Sequence, residues 1–411
     1  MRSKHVEQQA KPSFKPLPIA AGVQWIGVPD PDLEIFDVIM PTEWGTTYNS
    51  YLVEGTEKKA IVETVKEKFG PEYLAVLAQT VDLAKIDYII LNHTEPDHSG
   101  ALPEFLKAMP NATVVSSKFA HGLLKEILNT EDFPAQTVRD GDSLDLGGKT
   151  LHFISAPYLH WPDSMFTYLK EEQVLFSGDV FGCHYYHTAM YDDLVGDFSK
   201  AFDYYFETIM SPFREHMLTA IDKIRDLEIK TICTAHGPIL RTNPRRYIDR
   251  MEELAKTVRH KNTPPQVFIG YVSAYGNTRK LAEAIGEGAK AAGAQVILRD
   301  VSEQDIAQSV REAESSEAIV MGSPTFNKDA VKPVWDVLYT LSIFKVKGKL
   351  GGAFGSFGWS GEGPDLLEKR LQQLGIKLQQ PALKTKLVPN DKAIEDAKVF
   401  GRGIADALLA E

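Results

Sequence analysis

Short apolar runs rich in β-branched and aromatic residues recur through the first 260 residues. Residues 48–53 and 60–64 flank a short polar turn and predict a β-hairpin. Residues 166–169 and 174–176 repeat this pattern and predict a second hairpin. Further strands are predicted at 86–91, 112–116, 150–155 and 229–233, and a helix at 213–227.

The pattern changes near residue 260. Polar residues 260–263 precede Pro264 and Pro265, which is typical of a linker. Strands are then predicted at 266–272, 295–298, 318–321 and 351–354, alternating with helices at 278–292, 306–313 and 393–409. Regular alternation predicts a doubly wound parallel α/β sheet. We therefore expect one domain over residues 1–260 and a second over 266–411.

Composition narrows the possible partners and location. The 411 residues carry a net charge of −11, so neither nucleic acid nor an anionic membrane surface is expected as a partner. The polar start and the lack of a long apolar stretch predict a cytoplasmic protein. With only Cys183 and Cys233, the chain has no disulfide scaffold, Cys-rich zinc site, rubredoxin-like module or ferredoxin-like module.

One loop, residues 91–100, concentrates side chains that can bind metals. It follows a predicted strand, and within six residues it holds His93, Glu95, Asp97 and His98. A loop at the end of a strand can aim several ligands at one point. The first three, spaced by two, converge only on a tight, irregular turn, and Pro96 is consistent with one.

Three later residues each follow a predicted strand in the same way: His160, Asp179 and His236. Any one of them alone would be ordinary as a solvated loop residue. Burying the whole set without a metal would be costly, so we interpret it as a metal site. His184 and His187 are weaker candidates for the substrate pocket, and His152 is expected to be structural.

These positions resemble the metallo-β-lactamase superfamily, whose αββα sandwich carries a His-x-His-x-Asp-His loop followed by His, Asp and His. Glu95 replaces the second histidine, and its hard, charged oxygen favours iron over zinc. The resemblance implies one iron on His93, Glu95 and His160, a second on Asp97 and His236, and Asp179 as the bridge. His98 is expected to stand behind the ligands, where it orients one of them or relays a proton.

The C-terminal region carries three loops of another kind. The first opens a predicted helix, resembles the flavodoxin phosphate loop and consists of Ser273, Ala274, Tyr275, Gly276, Asn277 and Thr278. Alone, it is also compatible with a simple helix cap. The second and third loops match those that clasp a flavin ring: Ser323, Pro324, Thr325, Phe326 and Asn327, then Ser356, Phe357, Gly358, Trp359, Ser360, Gly361 and Glu362. Together, the three loops predict FMN.

The two halves together resemble the flavodiiron family (A-type flavoproteins) in its minimal two-domain form. The resemblance implies FMN, two non-haem irons with an oxo or hydroxo bridge, and reduction of O2 to water or of NO to N2O. Reduced flavin and two ferrous irons hold the four electrons that O2 needs. Tyr205 is a candidate proton donor beside His98.

Family resemblance also implies partners. A separate rubredoxin, or a reduced deazaflavin, would supply electrons. A head-to-tail homodimer, or a dimer of dimers, would bring the flavin of one subunit to the irons of the other, with Trp359 near the partner's metal site.

Two alternatives remain open at this point. One is a zinc-dependent hydrolase of the metallo-β-lactamase fold with a flavodoxin-like accessory domain, and the other is a non-catalytic electron carrier. The preference between O2 and NO is also open, because both diatomic molecules suit the same ligand set.

Overall fold

The computed structural model describes residues 14–37, 40–257, 262–303 and 305–410. The chain divides into two compact units, Met1–Val258 and Arg259–Glu411. The predicted linker at 260–265 lies partly outside the described residues, and the polar start of the chain lies wholly outside them. The expected domain limits therefore stay a prediction.

The first unit is built on two facing sheets. Its strands are β1 (Leu17–Ala20), β2 (Val23–Trp25), β3 (Val28–Asp30), β4 (Ile35–Phe36), β5 (Met40–Pro41), β6 (Thr46–Tyr48), β7 (Tyr51–Glu54), β8 (Lys59–Val62), β9 (Tyr88–Ile90), β10 (Thr113–Ser117), β11 (Ala135–Val138), β12 (Ser143–Asp145), β13 (Thr150–Ser155), β14 (Met165–Leu169), β15 (Val174–Gly178) and β16 (Thr231–Thr234). Seven strands form one sheet in the order β1-β2-β7-β8-β9-β10-β11, and five form the other in the order β12-β13-β14-β15-β16.

The first unit also contains α-helices, most of which cover the outer faces of these sheets. They are α1 (Gly70–Thr80), α2 (Pro96–Ser99), α3 (Leu102–Ala108), α4 (Lys118–Leu128), α5 (Ser199–Tyr205), α6 (Arg214–Ile224) and α7 (Arg245–Lys256). A π-helical turn, Phe206–Met210, follows α5, and short 3₁₀ turns lie at Glu67–Phe69, Leu83–Lys85 and Ser211–Phe213.

Three hydrophobic clusters define the layers of this unit. One, which includes Val53 and Phe176, lies between the sheets. A second joins α1, α3 and α4 to the seven-stranded sheet, and the third joins α5, α6 and α7 to the five-stranded sheet. The result is the expected αββα sandwich.

The second unit has one parallel sheet. Its strands are β17 (Gln266–Tyr271), β18 (Gln295–Asp300), β19 (Ala318–Gly322), β20 (Leu350–Phe357), β21 (Lys377–Leu378) and β22 (Leu383–Lys386). The order is β18-β17-β19-β20-β21, and β22 pairs with the far end of β20. The helices are α8 (Asn277–Ala291), α9 (Ile306–Ser315), α10 (Lys332–Thr340), α11 (Ile343–Val346), α12 (Glu362–Gln373) and α13 (Asp391–Ala410). This 2-1-3-4-5 order is flavodoxin-like and confirms the doubly wound sheet.

Candidate metal and flavin sites

The candidate metal ligands converge at one edge of the two sheets in the first unit. His93 follows β9, Asp179 follows β15, and His236 follows β16. Because β15 and β16 are parallel, their carboxyl ends lie at the same edge. The short helix α2 contains Asp97 and His98. It turns the chain within the ligand loop, which the spacing of His93, Glu95 and Asp97 by two residues requires if they are to converge. These six residues are buried, and His160 is partly buried.

His93, Glu95 and His160 form the first group of the metal cluster. The Nε2 atom of His160 lies 2.8 Å from Glu95 Oε2 and 3.1 Å from Asp179 Oδ2. The Nε2 atom of His93 lies 3.2 Å from the same Asp179 oxygen and 3.5 Å from Glu95 Oε2. Two imidazoles and two carboxylates therefore face one point.

Asp97, His98 and His236 form the second group. The Nε2 atom of His236 lies 3.2 Å from Asp97 Oδ2 and 3.5 Å from Asp179 Oδ1. The Nε2 atom of His98 lies 3.2 Å from Asp179 Oδ1 and 3.5 Å from Asp97 Oδ1. Asp179 thus presents one oxygen to each group. The sequence predicted that His98 supports the ligands without binding metal itself. In the structure, His98 is as close to Asp97 and Asp179 as His236 is.

The donor atoms of this cluster fit a metal centre. Five buried donor atoms of the cluster have no hydrogen-bond partner among the described residues: His93 Nε2, Asp97 Oδ1 and Oδ2, His98 Nε2 and Asp179 Oδ1. Leaving so many polar atoms buried and unpaired would be strongly unfavourable. Two sets of these residues place one ligand atom each within 4.8 Å of one another: His93, Glu95, His98 and Asp179, and Asp97, His98 and His236. Nitrogen and carboxylate oxygen together suit non-haem iron.

Charges in the metal-free cluster are strongly coupled. Burial alone would lower the pKa of His93, but His93 faces Asp179 and Glu95, which together raise that pKa to about 9. Burial alone would raise the pKa of Asp179, yet the surrounding histidines hold it well below the usual range. Without metal, the negative carboxylates are therefore balanced by protonated histidines. A bound metal ion would displace those protons.

Two neighbouring threonines of β6 hold histidines at the cluster. The hydroxyl of Thr46 lies 2.9 Å from Nδ1 of His184, and the backbone carbonyl of Thr47 lies 2.6 Å from Nδ1 of His236. His236 therefore carries its proton on Nδ1 and turns Nε2 to the metal site. The rings of His184 and His236 are 5.1 Å apart, centre to centre.

The structure separates the other histidines that the sequence singled out. His184 is buried beside the cluster, and its Nε2 has no hydrogen-bond partner among the described residues. His187 is exposed and accepts a hydrogen bond from the amide of Ala189. His152 lines a separate pocket of about 670 Å³ that includes Asp140. Of these three histidines, His184 is the one that the structure places beside the metal cluster.

Tyr205 reaches the same region from α5. Its ring centre is 5.0 Å from that of His184, and the residue is 1% exposed. Burial, together with the carboxylates of Asp179 and Glu95, holds the pKa of Tyr205 well above its ordinary value. A π-helical turn begins at the next residue, a feature often found at functional sites.

The predicted phosphate loop joins β17 to α8. Gly276 adopts a left-handed conformation, with φ of 79°, and α8 begins at Asn277. The first amides of an α-helix have no partner within the helix and can bind an anion such as a phosphate. Thr278 is buried, and its hydroxyl lies 2.9 Å from that of Ser356 in the third loop. The hydroxyl of Ser273 accepts a hydrogen bond from the amide of Arg279.

The second predicted flavin loop follows β19, and the third begins in the last two residues of β20, at the same edge of the parallel sheet. The hydroxyl of Ser323 accepts a hydrogen bond from the amide of Val331, so it shapes its own loop. The rings of Tyr275 and Trp359 are 87% and 100% exposed. Large aromatic side chains without packing partners in this unit fit the stacking that a flavin ring offers.

The fold and these two sites define a class: a two-domain protein that combines a β-lactamase-like metal domain with a flavodoxin domain. Family comparison agrees, because residues 46–237 match the profile described as ODP family beta lactamase and residues 269–401 match Flavodoxin.

Similar proteins carry the same pair of domains. The chain is 42% identical over 398 residues to the type A flavoprotein fprA of Rhodobacter capsulatus. The aligned region covers 96% of this chain and 92% of that protein. It is 36% identical over 397 residues to a nitric oxide reductase of Moorella thermoacetica, with 95% and 98% covered. A solved structure, rubredoxin oxygen:oxidoreductase from Desulfovibrio gigas, matches with a TM-score of 0.74 and 31% identity over 96% of this chain and 99% of that one.

The chain belongs to the flavodiiron (type A flavoprotein) family. It is an oxidoreductase, its flavodoxin domain indicates FMN, and its histidine and carboxylate cluster supports a di-iron centre. These findings do not favour the zinc hydrolase. Within the described part of the chain, no helix combines the length and apolar character needed to cross a membrane.

Several residues around the metal cluster carried no signal in the sequence. Thr46 contacts His184, Thr47 contacts His236 and Glu63 contacts His98, although β6 and β8 belong to different sheets. Asp37 is exposed, yet partial loss of hydration, followed by the nearby carboxylates of Glu95 and Asp97, raises its pKa to about 6. Threonine and glutamate are common in and after short strands, so the sequence alone does not mark these residues as part of a site.

Proposed function

We propose that the cluster binds two irons through the residues predicted for it and that the chain reduces O2 to water, NO to N2O, or both. The first iron would take His93, Glu95 and His160, and the second Asp97 and His236, with Asp179 shared. The observation that carries this assignment is that the two oxygens of Asp179 face different groups.

The residues around the cluster would prepare the site for a diatomic substrate. When bound, the irons and the flavin supply the electrons. Asp97, Asp179 and His236 are almost completely buried, which keeps water out and strengthens local electrostatics. The phenol of Tyr205 stays protonated at neutral pH and can donate a hydrogen bond toward the pocket.

The FMN would be held by the three loops predicted for it. The amides at the start of α8 and the hydroxyl of Ser273 are available to the phosphate. The exposed rings of Tyr275 and Trp359 are available to the isoalloxazine ring. The second and third loops would close around the ring from the neighbouring strands.

We infer that electrons come from a separate donor, with rubredoxin the first candidate and a reduced deazaflavin the second. Support for rubredoxin comes from the name of the similar rubredoxin oxygen:oxidoreductase. We also infer a head-to-tail homodimer, alone or paired into a tetramer. In that arrangement Trp359, which is fully exposed in its own unit, would approach the partner's metal site.

Substrate preference is tested by gas consumption. Iron-loaded protein, reduced through its flavin, is given NO under anaerobic conditions and, separately, O2. Faster consumption of one gas identifies the preferred substrate. A protein with stoichiometric iron and FMN that consumes neither gas would contradict the proposed reaction. Stoichiometric zinc without flavin absorbance would favour the hydrolase.

A further inference from the structure

Glu63 is a buried carboxylate at the metal-site edge of the seven-stranded sheet. It directly follows β8, is 1% exposed and has a left-handed backbone with φ of 65°. For a residue other than glycine, this conformation is strained and tends to be retained at functional sites. A carboxyl side chain that is buried on a strained backbone is therefore a candidate for a functional role.

Hydrogen bonds hold the backbone of Glu63 and one of its two side-chain oxygens in place. Its amide donates to the carbonyl of Ile90 at 2.8 Å, and its carbonyl accepts from the hydroxyl of Ser50 at 2.8 Å. Oxygen Oε1 accepts from the amide of Asn92 at 3.1 Å. Oxygen Oε2 has no hydrogen-bond partner among the described residues, and it lies 3.5 Å from Nδ1 of His98.

The other side of the His98 ring faces the metal cluster. Nε2 of His98 lies 3.2 Å from Asp179 Oδ1, whereas Nδ1 is turned toward Glu63. The hydroxyl of Thr64, next in the chain, donates to the carbonyl of His98. Glu63 and Thr64 thus hold both the ring and the backbone of His98.

A neutral imidazole has one N–H donor and one lone pair. A carboxylate that accepts from Nδ1–H leaves the lone pair on Nε2, which is the state that binds a metal. We propose that Glu63 is a positioning residue of the second group: it keeps the proton of His98 on Nδ1 and so presents Nε2 to the second metal. This inference rests on the proposed metal site and adds His98 to its ligands.

The test compares Glu63→Gln with wild-type protein. A glutamine has only one acceptor oxygen. If that oxygen takes the amide of Asn92, the –NH2 group faces His98 Nδ1 and moves the histidine proton to Nε2, where it blocks the metal. We expect the second iron to be held ~10–100-fold less tightly during dialysis against a chelator. Mössbauer spectra should lose or alter the signal of one iron while the other persists.

Asp192→Asn is the matched control. Asp192 is also a buried carboxylate of the first unit, and it accepts from the amides of Arg241 and Thr242 and the hydroxyl of Tyr247. The same chemical change there should leave both irons and FMN in place. Iron loss equal to that of Glu63→Gln would show general destabilisation and overturn the inference.

A double variant separates positioning from a purely structural effect. If Glu63 acts through His98, Glu63→Gln should weaken iron binding by less than about twofold when His98 is already alanine. Full loss in both backgrounds, or wild-type iron retention in Glu63→Gln, would overturn the inference. If Glu63→Gln does not fold, Glu63→Asp replaces it, because the shorter side chain cannot reach both Asn92 and His98.

Failure of this inference differs from failure of the proposed function. All variants are compared for retention of whichever metal the wild-type protein holds, independently of gas consumption. A wild-type protein that consumes neither O2 nor NO would contradict the function and leave the Glu63 comparison valid. Normal gas consumption with unchanged iron retention in Glu63→Gln would contradict only the Glu63 role.

Discussion

Asp179 lies between the two groups of the metal cluster. Its Oδ2 faces His93 and His160 at 3.2 and 3.1 Å, and its Oδ1 faces His98 and His236 at 3.2 and 3.5 Å. The carboxylate of Glu95, in contrast, forms its ion pairs with two histidines of the first group, His93 and His160. Loss of the Asp179 carboxylate should therefore affect both groups of the cluster, whereas loss of the Glu95 carboxylate should affect only the first group.

Conversion of each carboxylate to its amide should distinguish these roles. Asp179→Asn removes a charge and an oxygen ligand shared by both groups, so we expect nearly all iron to be lost. Glu95→Gln affects the first group alone, so about one iron per chain should remain. Iron analysis measures both, with flavin absorbance as the folding control. Equal iron loss in the two variants would contradict the shared role of Asp179.

Among individual residues, the sequence indicated the metal ligands better than it indicated the residues that hold those ligands in place. Histidines and carboxylates placed just after apolar runs could be recognised because few other roles explain several of them together. The structure brings all six predicted ligands into one cluster. Thr47 and Glu63 could not be recognised, because their contacts with His236 and His98 depend on which strands become neighbours.

Close approach of two helices is the main feature at the scale of elements in the second unit. Helices α8 and α13 cross where each has a glycine. A Cβ atom on Gly288 would lie 1.9 Å from the carbonyl oxygen of Lys398, and one on Gly401 would lie 1.9 Å from that of Ile285. Backbone contact at this crossing leaves no room for a side chain. Because α8 also begins at the predicted phosphate loop, its position affects the flavin site.

Gly288→Ala should therefore push α8 away from α13. Overpacking of this kind costs about 1–3 kcal/mol, more than the ~0.5–1 kcal/mol that alanine gains in a helix. We expect a lower thermal unfolding midpoint for this unit and weaker FMN retention, while the iron content is unchanged. Gly286→Ala in the same helix is the control. Its Cβ would meet Val296 Cγ1 at 3.4 Å, an ordinary contact, so stability should stay equal or rise.

Long, periodic elements were predictable and short ones were not. The predicted helices at 278–292 and 393–409 correspond to α8 and α13, and the two predicted hairpins correspond to β7–β8 and β14–β15. Strands β1 to β6 have two to four residues each, too few to establish an alternating pattern. The residues that support His184 and His236 come from this poorly predicted region.

At the scale of the whole molecule, the chain carries a metal cluster in one compact unit and a flavin site in the other. An electron must pass from flavin to iron for either gas to be reduced. The proposed head-to-tail dimer makes this transfer occur between subunits. Transfer within one chain is the alternative, and the two arrangements differ in what a mixed dimer can do.

Two inactive variants can be mixed to decide between them. Asp179→Asn removes the metal centre and leaves the flavin site intact. Asn277→Asp places a carboxylate at the first position of α8, where the helix dipole tolerates it but a flavin phosphate is repelled. Each homodimer alone should be inactive.

After dissociation and reassociation, about half of the dimers should contain one chain of each kind. In a head-to-tail dimer, the intact flavin of one chain faces the intact irons of the other, so each mixed dimer has one working pair. We expect roughly a quarter of the wild-type gas consumption to return. A mixture that exchanges subunits, as native mass spectrometry would show, and still stays inactive would mean that each flavin serves the irons of its own chain.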